Sequence, residues 1–153
     1  MFYNCTSLKT APALNATNLA SECYYYMFSG CTALTSAPAL PAETLANYCY
    51  RYMFNGCTSL ETAPALKATS LPTSCYKSMF YGCTKLSSVT MLATDVNGDQ
   101  CLDNWLTDAG TKANSRTLTL ASETVYNTLT LEENSNYLPD NWKQGAATIN
   151  YQI

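Results

Sequence analysis

The chain has 153 residues and a net charge of -3, with only 12 % of its residues charged and eight basic side chains spread thinly along it. That length suits one core-forming unit, and the sparse basic residues form no stripe that could neutralise a phosphate backbone, so nucleic acid is not an expected partner. No stretch approaches the roughly 18 apolar residues of a membrane helix and the start carries no signal-peptide pattern, so the chain is not expected to insert into a membrane.

From the first residue the sequence repeats. Met-Phe recurs at Met1-Phe2, Met27-Phe28, Met53-Phe54 and Met79-Phe80, a period of 26. At the same phase follow Cys5, Cys31, Cys57 and Cys83, then Leu8, Leu34, Leu60 and Leu86, and a second cysteine at Cys23, Cys49, Cys75 and Cys101. A unit this short cannot bury its own apolar face, but stacking sets equivalent residues about 4.8 Å apart in one continuous core. Both cysteine rows, Phe2, Phe28, Phe54 and Phe80, the leucine row, Ala11, Ala37, Ala63 and Val89, and Leu19, Leu45 and Leu71 are assigned inward. Gly30, Gly56 and Gly82 suit a tight bend at positive φ.

Within each unit, Leu8–Ala13 and its equivalents show the period-2 tail of a short strand. Pro12, Pro38 and Pro64 remove a donor there, so those strands should be very short or poorly paired. Residues 18–28 predict one or two turns of 3₁₀ or α-helix, despite weak helix formers such as Tyr24-Tyr25-Tyr26. After Cys101 the pattern drifts, with Trp105-Leu106 where Met-Phe belongs. The tail then alternates at Thr117-Leu118-Thr119-Leu120, Thr128-Leu129-Thr130-Leu131 and Ala147–Tyr151, which predicts half-buried strands. The expected architecture is thus a right-handed α/β solenoid of four units over residues 1–106, with short parallel strands and short helical turns, closed by a small β-rich cap over 107–153. Met1 is itself the repeat methionine, so further repeats are expected upstream.

Phe-x-Gly-Cys-Thr-x-Leu, then a proline strand, then Cys-Tyr-x-x-Met-Phe, resembles the BspA-like (treponemal-type) leucine-rich repeats of bacterial surface proteins. The closest segments are Phe28-Ser29-Gly30-Cys31, Phe54-Asn55-Gly56-Cys57 and Phe80-Tyr81-Gly82-Cys83. Two departures are Met27, Met53 and Met79 where alanine is common, and Cys23, Cys49 and Cys75 where isoleucine is usual. The resemblance implies an extracellular or cell-surface adhesion module, with a host or neighbouring-cell protein or glycan as partner.

The chain has no histidine, which excludes His-based triads and Cys-His dyads. Cysteine spacings of 18 and 8 lack the Cys-x-x-Cys pairs of zinc or thioredoxin-type sites, so packing is the expected role, with no enzyme activity, no metal and no cofactor. Pairing across 18 residues would use all eight cysteines, and pairing across eight would leave Cys5 and Cys101 single; a mostly reduced state is favoured. Asp95-Val96-Asn97-Gly98-Asp99 opens like a calcium loop but has Gln100 where glycine is required and Leu106 where glutamate is, and a solvated turn is the expectation. Asn4-Cys5-Thr6 and Asn15-Ala16-Thr17 fit the glycosylation pattern, which is frequent by chance in so Thr-rich a chain.

Tyr24, Tyr50 and Tyr76 recur in phase and are expected to pack. Tyr25, Tyr26, Tyr52 and Tyr81, with Lys9 and Glu61, sit where the units differ and form the candidate ligand surface. Two functions compete: a surface-exposed module binding a protein or glycan, and a structural spacer or capping segment of a cell-surface or phage appendage with no ligand of its own.

Overall fold

The structure, a computed structural model, describes residues 1–152. Its repeats are organised by two alternating kinds of backbone hydrogen bond. The amides of Glu22, Tyr24, Tyr26, Phe28 and Gly30 donate 25 residues ahead, to carbonyls from Asn47 to Asn55 in the next unit, at 2.8 to 3.1 Å. Between them, Cys23, Tyr25, Met27, Ser29 and Cys31 donate three residues back. The pattern recurs over residues 48–57 and 74–83.

The expected helical turns do not form. Every fourth residue of this ribbon is left-handed: Glu22, Tyr26 and Gly30, then Tyr48, Tyr52 and Gly56, then Ser74, Ser78 and Gly82, with φ from 51° to 75°. An α-helix cannot pass through such residues, so the segments are chained turns. Three of the nine positions are glycine; the others hold an ordinary side chain in a costly conformation.

Regular strands are also missing from most of the repeats. Thr10, Ser36, Thr62 and Ser88 are joined only by single parallel bridges, and the sole strand among the units is β1, Ser88–Met91. The proline row gives the reason. Pro12, Pro38 and Pro64 are followed at the same phase by Thr90, so only the fourth unit has a donor at that level. Beside it, bridges Thr62↔Ser88 and Leu66↔Met91 leave five residues facing four, a bulge around Pro64 and Ala65.

The tail corrects the rest of the expected architecture. β2 (Thr117–Leu120) pairs in parallel with β1, and β3 (Thr148–Tyr151) in parallel with β2, giving an open three-stranded sheet of order β1-β2-β3. These strands extend the sheet sideways instead of closing the molecule, and three of the four β3 residues are exposed. The run Thr128–Leu131, expected as a strand, ends the helix α1, Glu123–Leu129. Ser122 Oγ caps it by accepting from the Val125 amide at 3.3 Å, and Val125, Tyr126 and Leu129 form its buried face, the i, i+1, i+4 spacing of a helix. A short 3₁₀ turn follows at Asp140–Trp142. The repeated, helix-bearing solenoid with a closing cap is therefore not what the chain forms: among the described residues the one helix and one 3₁₀ turn lie beyond the repeats, and the one sheet is open.

The core runs through the units. Phe28, Phe54 and Phe80 are inaccessible to solvent, their rings stacked 5.6 and 5.7 Å apart, with Phe2 5.5 Å beyond. Tyr24, Tyr50 and Tyr76 stack likewise. Leu34, Leu60 and Leu86 are buried, while Phe2, Leu8, Ala11 and Leu19 of the first unit are half-buried. In the tail, Trp142 is buried and its Nε1 donates to the Ala109 carbonyl at 3.1 Å.

Candidate functional site

The turn ribbon sets equivalent side chains of successive units in rows. One row holds Tyr26, Tyr52, Ser78 and Asn104, the neighbouring row holds Tyr3, Ser29, Asn55, Tyr81 and Thr107, and Tyr25, Arg51, Lys77 and Asp103 make a third. Three of the expected surface residues meet here. Tyr26 stacks on Tyr52 with centroids 4.6 Å apart, and Tyr25 stands edge-on to Tyr26 at 4.5 Å and to Tyr52 at 6.1 Å. Tyr3 adds a further edge contact to Tyr26 at 5.8 Å.

Arg51 sits among these rings. Its guanidinium carbon is 5.0 Å from the Tyr52 centroid and 5.8 Å from those of Tyr25 and Tyr48, a distance at which the ring quadrupole attracts a cation. Its Nε is buried without a hydrogen-bond partner, so the rings hold much of this charge. Burial, and then the nearby Tyr25 and Tyr52, raise the Tyr26 phenol above its ordinary value.

Tyr52 also borders an open groove of about 500 Å³, lined by Tyr52, Asn55, Ser78, Tyr81, Asn104 and Thr107. The remaining two expected residues lie elsewhere. Glu61 lines a separate groove of about 390 Å³ with Lys85, Ser87 and Lys112, and Lys9 is exposed and lines neither groove. Sequence reasoning missed Tyr3, Arg51, Asn55, Ser78, Asn104 and Thr107. Spacing carried a signal for them, since each is a multiple of 26 from Tyr25, Tyr26 or Tyr81.

All eight cysteines are free thiols. Cys31, Cys57 and Cys83 donate through Sγ to the carbonyls of Phe2, Phe28 and Phe54 at 3.0 to 3.1 Å, tying each unit to the one before it. Burial pushes Cys49, Cys57 and Cys101 up to about 12 and raises Cys75 and Cys83 as well, the reverse of what a thiolate nucleophile needs. Cys5 and Cys23, in the first unit, are exposed.

Asp95 accepts from the Asn97 amide at 3.1 Å and from Ser70 Oγ at 3.1 Å, and these bonds lower its carboxyl below the usual range. The segment is a hydrogen-bonded turn. Among the described residues, no group of three or more His, Cys, Asp or Glu side chains is disposed to hold a metal ion.

Comparison with known proteins now identifies the class. The family model described as "BspA type Leucine rich repeat region (6 copies)" matches residues 1–104, and the chain belongs to that family. It is a repeat module, four of whose 26-residue units lie in the matched span. No curated protein and no solved structure matches the chain.

Proposed function

We propose that this chain is a recognition module of a surface-associated protein, binding a protein or glycan partner through the face built by Tyr25, Tyr26, Tyr52 and Arg51. One observation carries this reading: three tyrosines from two units form a single contiguous cluster around a partly buried arginine. Rigid aromatic rings beside an arginine are the side chains most enriched where binding energy concentrates. The family's association with bacterial surface proteins supports the location.

The structural spacer has the broader backing. Nearly every position shared by all the units is occupied with packing or inter-unit hydrogen bonds, and family membership describes a repeat without specifying a ligand.

A binding screen against extracellular-matrix proteins and a glycan array separates the two. Recognition predicts at least one saturable ligand whose affinity falls roughly 30-fold in the Tyr25→Ala/Tyr26→Ala variant, the loss of a hot spot worth about 2 kcal/mol. A folded protein that binds nothing is a spacer, and a ligand that this variant binds equally well does not use the Tyr25, Tyr26, Tyr52 and Arg51 face.

A further inference from the structure

We propose that the groove between Tyr52 and Tyr81 binds a neutral oligosaccharide; this rests on the recognition reading above and assigns a ligand class to one part of that face. The groove exists because bulk changes abruptly along the rows. Tyr26 and Tyr52 give way at the same phase to Ser78 and Asn104, while the neighbouring row carries Asn55, then Tyr81. Ser78, 4 % exposed, forms the floor. Tyr81, 39 % exposed, stands at the rim, and the space of about 500 Å³ falls within the range of ligand sites.

The lining chemistry selects the ligand. Two phenol rings supply flat apolar faces with polar tips, which match the C–H face of a pyranose. Two primary amides and two aliphatic hydroxyls supply paired donors and acceptors suited to vicinal sugar hydroxyls. The Asn55, Ser78 and Tyr81 side chains make no hydrogen bond within the described residues. Asn104 is braced, donating to Asp103 Oδ1 at 3.0 Å and accepting from Thr107 Oγ1 at 3.2 Å, so part of the site is ordered in advance of binding.

An anionic ligand is disfavoured at this groove. No charged residue lines it, Lys77 is committed to Asp103 at 2.8 Å and to Gln100, and Arg51 is held by tyrosine rings. A site that hydrogen-bonds hydroxyls also rejects a ligand lacking them, because its polar groups would be left unpaired.

The test titrates the whole chain by amide-resolved NMR with neutral hexasaccharides (malto-, cello-, manno-, xylo-, laminari- and chitohexaose) and with a heparin hexasaccharide as the anionic arm. The expected result is saturable binding of at least one neutral sugar, with shifts centred on Asn55, Ser78, Tyr81 and Asn104. Tyr81→Ala and Asn55→Ala should each weaken it about tenfold or more. Both single variants lie at solvent-accessible positions, and retained amide dispersion verifies their folding. Binding of no neutral sugar, binding of heparin alone, or binding unchanged by Tyr81→Ala overturns the proposal. If no neutral sugar binds but a Tyr25/Tyr26-dependent ligand is found, the groove assignment falls and the recognition reading stands; if neither is found, both fall.

Discussion

Asp108 stands where Gly30, Gly56 and Gly82 stand in the earlier units, and it keeps their left-handed backbone at φ 59°. The glycines signalled this conformation in the sequence, and the structure has it at all three. The same conformation at Tyr26, Tyr52, Ser78 and Asn104 had no such signal, because those side chains are imposed on the backbone by the hydrogen bonds of the stack. A left-handed L-residue costs about 1 kcal/mol or more, and the Asp108 side chain is exposed. Asp108→Gly should therefore stabilise the fold by about 1 kcal/mol, seen as a raised urea midpoint with an unchanged slope. An unchanged or lowered midpoint would show that this position is unstrained.

At the scale of elements, spacing revealed the stacking and concealed the local geometry. The period of 26 marked which residues lie above one another, including the phenylalanine stack, without reference to the path between them. Helix propensity over residues 18–28 pointed to helical turns because it judges each residue alone; the left-handed kinks every fourth residue arise between units. The proline row was legible as a weakness, and its release at Thr90 accounts for β1. Thr90→Pro should loosen β1, because proline's fixed φ of about -65° does not fit a parallel strand, at a cost of about 1–3 kcal/mol. Hydrogen exchange at Val89–Met91 and at Thr117–Leu120 reports it, and protection equal to wild type would refute it. In the tail, Thr-Leu alternation fits both periods over four residues, and only the serine cap and Val125-Tyr126-Leu129 distinguish α1 from a strand. The candidate site was legible to the same degree: Tyr25, Tyr26 and Tyr52 were marked by varying between units, while Arg51 and the groove amides escaped because no aromatic label drew attention to them.

For the molecule as a whole, the buried thiols link folding to alkaline pH. Cys49, Cys57 and Cys101 are held up to about 12 by burial, against 9.0 for an ordinary thiol. Below pH 9 these groups are neutral in both states and their contribution is constant. Between pH 9 and 12 the unfolded chain ionises and the native one does not, so stability falls by about 1.4 kcal/mol per pH unit for each such thiol. Urea midpoints from pH 8 to pH 11 should be flat and then decline steeply, with a shallower decline in Cys57→Ala. A curve that is level through pH 11 would mean the thiolates are tolerated inside.

The turn ribbon has one further consequence. Its inter-unit amides, from Glu22 to Gly30 and at the equivalent positions of the next two units, all point from a unit toward its successor. Peptide dipoles aligned in this way add instead of cancelling. The ribbon therefore has an electrical polarity along the stack, with carbonyl oxygens directed toward the earlier units and amides toward the later ones.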